Sequence, residues 1–262
     1  MKTAEKQFTE TVQESESPVL EEQENGIVRL TLNRPEQFNS LSEAMLATLQ
    51  EKIDAIAENK AARLVILQGA GKAFCAGHDL KEMIAKREET YYKSLFQQCS
   101  RMMMTLNKIP QPVIARVHGI ATAAGCQLVG ACDLAVASED ARFATSGINV
   151  GLFCSTPSVP VSRNIPRKQA MELLLTGEFI DATTALKWGL INRIAPLDKL
   201  DEEVQKLVDV ILSKSSVAVF TGKKMFYKQL EKNMEDAYVF AGEIMACNMM
   251  SEDVNEGIDA FV

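Results

Sequence analysis

Long apolar runs are missing from this chain of 262 residues, as are surplus positive charge, paired cysteines and histidines in number. No stretch approaches the roughly 18 apolar residues that a membrane-spanning helix needs, so membrane insertion is not expected. Lys and Arg number 28 against 35 Asp and Glu, giving a formal net charge of −7 and a pI near 5.1. Nucleic-acid binding needs a basic surface to neutralise phosphates, so no nucleic-acid partner is expected either. The six cysteines, at positions 75, 99, 126, 132, 154 and 247, form no CxxC pair and mostly lie within apolar or small-residue runs. They read as reduced, buried thiols rather than a disulfide framework, as in a cytoplasmic protein, or a mitochondrial matrix protein if a presequence precedes this chain. The two histidines are His78 and His118, and no metal-ligand spacing, P-loop or dinucleotide fingerprint occurs, so no metal is expected. Residues 1–24 carry Glu5, Glu10, Glu14, Glu16, Glu21, Glu22 and Glu24 against Lys2 and Lys6. That is neither an apolar signal peptide nor a basic presequence, and it is expected to be a flexible acidic extension.

Hydrophobic residues make up 47% of the chain, enough for a substantial core. Residues 27–32 alternate apolar and polar positions like a half-exposed strand, whereas residues 64–67 are continuously apolar, like a strand covered on both faces. Between them Ser40-x-x-Glu43 predicts a capping box, followed by Met45, Leu46, Leu49, Ile53 and Ile56 at helical spacing. A strand at 112–117, a helix at 124–131 and a strand at 134–137 repeat the pattern, which predicts an α/β fold of β-β-α units over residues 25–197. From Lys168 onward strand signals vanish, and helices are expected at 170–175, 182–188, 200–212, 216–231 and 234–250, making 198–262 a helical C-terminal region.

The most informative segment is Ala115-Arg116-Val117-His118-Gly119-Ile120-Ala121-Thr122-Ala123-Ala124-Gly125-Cys126-Gln127, a strand, a small-residue turn and a helix start. Backbone N–H groups at such a start attract negative charge and could form an oxyanion hole. The same composition also suits a helix packed closely on a neighbour. A second apolar strand leads into Phe74-Cys75-Ala76-Gly77-His78-Asp79-Leu80-Lys81-Glu82. Together the two runs resemble the enoyl-CoA hydratase/isomerase (crotonase) superfamily. Residues 32–42, Cys132-Asp133-Leu134-Ala135-Val136-Ala137, the turn at Leu175-Thr176-Gly177-Glu178 and the closing Ser251-Glu252-Asp253 extend the resemblance in order along the chain.

The resemblance implies a spiral of β-β-α turns whose helical C-terminal region assembles a homotrimer or homohexamer. It also implies an acyl-CoA thioester as ligand, with no cofactor beyond the coenzyme A moiety of the substrate. The oxyanion donors fall on the backbone N–H groups of His78 and Ala124. Gln37 and Phe38 match the turn that contacts the coenzyme, while Ala76, Gly77, Asp79, Leu80 and Lys81, with Gly125, match the loop and helix start around the thioester. The two glutamates that hydratases use align with Gln127 and Gly147. Glutamine neither takes nor gives up a proton at neutral pH, and each lost acid–base group costs about 10²–10⁴-fold, so efficient hydration is not expected. The Ala-Gly-His-Asp run also resembles the methylmalonyl-CoA decarboxylase branch, in which decarboxylation forms the enolate without a base. Cys154 stands where that branch has tyrosine, and Ser155 stands where isomerases place an acid.

Each of these residues also has a plainer reading. Cys154 suits a small buried position, Gln127 helix packing, His118 a structural hydrogen bond and His78 a side chain that serves only its loop. The cluster Lys223-Lys224-Met225-Phe226-Tyr227-Lys228 suits either phosphate contacts or a solvated helix face. Acyl-CoA enzyme, decarboxylase-like enzyme and non-catalytic acyl-CoA sensor or scaffold all remain open on the sequence.

Overall fold

The computed structural model describes residues 17–261. It opens with strands β1 (Val19–Glu24) and β2 (Ile27–Leu32), followed by helix α1 (Glu43–Glu58), β3 (Leu64–Gly69), α2 (Leu80–Ala85) and α3 (Glu89–Lys108). Next come β4 (Val113–Val117), β5 (Ile120–Thr122), α4 (Ala124–Ala131), β6 (Leu134–Ser138), β7 (Arg142–Ala144) and α5 (Ser155–Asn164). The remainder is α6 (Arg167–Thr176), β8 (Ile180–Asp181), α7 (Ala182–Trp188), β9 (Arg193–Ala195), α8 (Leu200–Leu212), α9 (Ser216–Gln229), α10 (Met234–Met249) and α11 (Glu252–Phe261).

The large sheet has the order β1-β2-β3-β4-β6-β9, antiparallel only between β1 and β2. A small sheet, β5-β7-β8, runs beside it and is extended by a bridge from Cys75 to Ala121. Successive turns of chain therefore each place a strand in the large sheet, a short strand or bridge in the second layer, and then a helix. This is the expected spiral. Its main core lies between the large sheet and helices α1, α3 and α4 and includes Leu30, Leu32, Leu46, Leu49, Phe74 and Phe143. Alternate residues Leu64, Ile66, Ile114 and Val136 face the other way and are covered by Leu200, Val204 and Val208 of α8.

Several expectations need correction. Strand β1 pairs with β2 along its full length, from Val19 with Leu32 to Glu24 with Ile27, so the acidic extension is shorter than residues 1–24 and its remaining part, 1–16, lies outside the described residues. The first helix is capped by Ser42, whose hydroxyl accepts from the Met45 N–H, and not by Ser40 with Glu43. Strands do occur after Lys168, at β8 and β9, but with two and three residues they are too short to show a period. Within the helical region 198–262, helix α8 packs on the large sheet through Leu200, Val204 and Val208.

Candidate active site

The spiral brings the two small-residue motifs into contact. Cys75 N–H donates to the Ile120 carbonyl at 3.1 Å and Thr122 N–H to the Cys75 carbonyl at 3.0 Å, which lays the 74–79 loop along β5. Helix α4 then starts against this loop so closely that a Cβ on Gly125 would lie 2.0 Å from the Cys75 oxygen. Only glycine fits there. A Cβ on Gly77 would lie 3.3 Å from the Ala124 nitrogen, so the peptide that carries the His78 N–H abuts the first N–H of α4. No backbone carbonyl among the described residues receives the N–H of either His78 or Ala124. The Ala124 N–H is thus a free donor at a helix start, where partial positive charge collects, and the His78 N–H is a second free donor in the adjoining loop.

Arg34, Asn39 and Asp79, which the sequence reading did not single out for this role, hold the loop. Arg34 donates to Asp79 Oδ2 at 2.9 Å and to the Ser40 carbonyl at 2.9 Å. Asn39, in the left-handed region, donates through Nδ2 to the Ala70 and Ala73 carbonyls at 2.8 and 2.7 Å. Asp79 caps α2 by accepting from the Lys81 and Glu82 N–H groups. Burial pushes the Asp79 carboxyl up, but Arg34 and those amides outweigh it and hold it below its usual value. Its oxygens are thus committed to the loop itself. Gln37, Phe38, Leu80 and Lys81 lie exposed around the loop, and Ala76 is tied to the Phe38 carbonyl at 3.0 Å. A left-handed asparagine after a turn is a signal that could have marked Asn39.

A family model described as enoyl-CoA hydratase/isomerase matches residues 22–262. The chain belongs to the enoyl-CoA hydratase/isomerase family. It is 45% identical over 240 residues to rat "Enoyl-CoA hydratase domain-containing protein 3, mitochondrial", covering 92% of this chain and 80% of that protein. The crystal structure of an enoyl-CoA hydratase from Mycobacterium smegmatis is 55% identical, with TM-score 0.93 over 94% of this chain and 96% of that one. That of human enoyl-CoA hydratase domain-containing protein 3 is 45% identical, with TM-score 0.90 over 93% and 96%. The fold is the crotonase fold of these relatives.

The resemblance aligns Gln127 and Gly147 with the two hydratase glutamates, and both have definite surroundings in the structure. Gln127 lies on the face of α4 that carries Ala124, is 3% exposed, and leaves its Oε1 buried with no hydrogen-bond partner. Gly147 lies in the short turn Ser146–Val150, where a Cβ would come within 2.6 Å of the Leu152 oxygen and 2.9 Å of Cys154 Sγ. The Cys154 thiol therefore fills the space that a side chain at 147 would need. Cys154 is 6% exposed, and burial raises its pKa although the Gly147 amide opposes the shift. It is a poor nucleophile in this setting. Ser155 is exposed, its hydroxyl facing the Phe153 carbonyl at 3.4 Å. Thr122 and Ser146 share a 2.7 Å hydrogen bond between their hydroxyls and join the two loops beside these positions. Sequence reasoning missed that bond, which neither residue announces.

The His78 ring packs edge-on to Phe96 of α3 with centroids 5.5 Å apart. Both ring nitrogens are buried without a well-formed hydrogen bond. Burial lowers the pKa, with the Leu41 carbonyl acting against it, so the ring is neutral at pH 7. His118 lies elsewhere, with its Nε2 2.8 Å from the Gly71 carbonyl and its Nδ1 3.4 Å from Arg116, the structural reading of the sequence. It lines an open cleft of about 600 Å³ with Arg29, Gln68, Arg116 and Asp201, at the ends of β3 and β4. Those polar groups are paired with one another, Arg116 with Asp201 at 2.6 and 3.0 Å and Arg29 with Gln68 at 3.2 Å. This cleft lies apart from the site that the motifs build.

Lys223 is likewise committed to structure. Its ammonium meets Asp133 Oδ2 at 2.7 Å and donates to the Leu106 and Gln111 carbonyls at 2.7 and 2.8 Å, while Tyr227 donates to Asp133 Oδ1 at 2.8 Å. Phosphate contacts from Lys223 are excluded by this burial, and Phe226 is exposed rather than part of a core.

Proposed function

We propose that this protein binds an acyl-CoA thioester and polarises its carbonyl through the His78 and Ala124 backbone N–H groups, without performing efficient hydration. The observation that carries the reading is the abutment of Gly77 on the Ala124 nitrogen, 3.3 Å from an ideal Cβ, with neither donor engaged. Fixed donors at a carbonyl oxygen make the α-carbon acidic and the β-carbon electrophilic. Around those carbons the chain offers the neutral groups Gln127, Cys154, Ser155 and the Thr122–Ser146 pair, with a neutral His78 ring beyond. None is a carboxylate. The chemistry this favours is a reaction that forms the enolate without an external base, such as decarboxylation of a carboxyacyl thioester.

The exposed Gln37, Phe38, Leu80 and Lys81 are placed to border the coenzyme, and Ala76, Gly77 and Gly125 to let the thioester approach the backbone. A homotrimer or homohexamer is supported by the uncovered apolar surface of α10, where Tyr238 is 75% exposed, and of the following turn, where Met250 is 80% exposed. The unpaired state of all six cysteines supports a reducing compartment, cytoplasm or mitochondrial matrix. Titration with acyl-CoAs followed by single-turnover assays tests the reading. Binding with release of carbon dioxide from a carboxyacyl thioester is the expected result; binding with no change to any thioester makes the protein a sensor; absence of binding across the panel rejects the proposal.

A further inference from the structure

We propose that Ala123 is a positioning residue whose methyl group wedges apart the two peptides carrying the oxyanion donors and so sets their spacing; this rests on the thioester reading above. Ala123 has φ 51° and ψ −118°, whereas Phe38 at φ 50° and ψ 37° lies in the ordinary left-handed region. The Ala123 angles match the first central position of a type II′ turn, a place that glycine dominates because an L side chain is strained there. Strain of this kind persists only where the surroundings over-determine it. They do so here: the Ala123 N–H donates to the Ala144 carbonyl at 2.9 Å and its carbonyl accepts from the Gln127 N–H at 3.0 Å.

Glycine would adopt the same angles freely, so the methyl group contributes something other than backbone fit. It faces the opposing loop. An ideal Cβ on Gly77 would lie 3.0 Å from the Ala123 Cβ and 3.3 Å from the Ala124 nitrogen. The methyl therefore stands beside Gly77, whose peptide carries the His78 N–H, at the first turn of α4. Removing it frees the backbone and lets the two donors change their separation. Serine at this position keeps the Cβ and the wedge.

The test uses saturated acyl-CoAs, butyryl-CoA first, with carbon-13 at the thioester carbonyl, bound to the full chain and read by infrared difference spectroscopy. The wild type is expected to lower the carbonyl stretch relative to free thioester. Ala123→Gly is expected to shrink that shift and to weaken butyryl-CoA about 3- to 10-fold, the worth of one compromised hydrogen bond, with affinity for free coenzyme A unchanged. Its melting temperature should equal or exceed that of the wild type, and Ala123→Ser should restore the shift. A merely structural alanine would leave the carbonyl frequency alone, so an unshrunken shift in Ala123→Gly overturns the wedge while leaving the oxyanion reading intact. A wild type that lowers no carbonyl stretch overturns both.

Discussion

In the spiral, helices α1 and α3 each contain five buried residues, whereas α9 and α10 contain none, and no residue from 209 to 260 is buried as a whole. The same chain thus contains helices held by apolar packing and helices held by something else. For α9 that something is the Lys223–Asp133–Tyr227 cluster, where the Lys223 side chain, 6% exposed, docks its ammonium on the carbonyl ends of α3 and the following turn. An ion pair of this kind fixes where a helix sits more than it adds stability, since desolvation offsets most of the attraction. Apolar side chains on α10, the following turn and α11, among them Tyr238, Met245, Met250 and Ile258, remain exposed. The side chain of Phe261, at the end of α11, lies outside the described residues.

Alanine in place of glycine separates the two regions most sharply. Gly125→Ala puts a methyl 2.0 Å from the Cys75 oxygen, backbone on backbone, and should cost more than about 4 kcal/mol or prevent folding, as read by denaturant titration. Gly242→Ala, in α10 with nothing within 4 Å of the added Cβ, should stabilise its helix by about 0.5–1 kcal/mol. Next in size, Lys223→Met leaves Asp133 buried without its cation and should cost about 3–5 kcal/mol. Hydrogen exchange should then show α9 and α10 opening while β3 and β4 stay protected. Uniform loss of protection would mean that the two regions are one cooperative unit.

The division was only partly legible in the sequence. The alternation at 27–32, the apolar run at 64–67 and the helix after Ala123 showed through because their periods are set by which face meets the core. Helix α3 did not, although Leu95, Cys99, Met102, Met103 and Leu106 line one face of it, because its first half is strongly polar and its methionines resemble a patch rather than a stripe. For the site, the contact of the 74–79 loop with the start of α4 was legible from small residues that a close backbone approach requires. The plug of Cys154 against Gly147 was not, since it depends on a contact across a turn that spacing does not reveal. Nor was the wholly structural use of Asp79 and Lys223, because a charged side chain looks the same in sequence whether its partner is a ligand or a carbonyl.

Charging the uncovered helices is the next test of the comparison. Tyr238→Lys with Met245→Lys should shift the particle toward monomer in light scattering, while changing the stability of the spiral by less than about 0.5 kcal/mol. An unchanged mass would place any interface elsewhere. The smallest effect is the pH response of the site loop. The His78 pKa lies below 6.5 in the folded chain, so the unfolded chain takes up more protons as pH falls below that value and stability declines. The Asp79 pKa is also lowered, so its contribution is full above about pH 4 and is lost on further acidification through the folded value. Asp79→Asn should flatten the lower part of this profile, and His78→Phe the upper part.

Hydration of crotonyl-CoA by the wild-type protein tests the central claim most directly, with thioester binding confirmed in the same sample. With Gln127 and a sterically closed Gly147 at the two positions that the resemblance aligns with the hydratase glutamates, turnover should fall at least about 10⁴-fold below the roughly 1–10³ s⁻¹ of an ordinary enzyme while the thioester still binds. Turnover within that ordinary range, with both residues unchanged, would contradict the account.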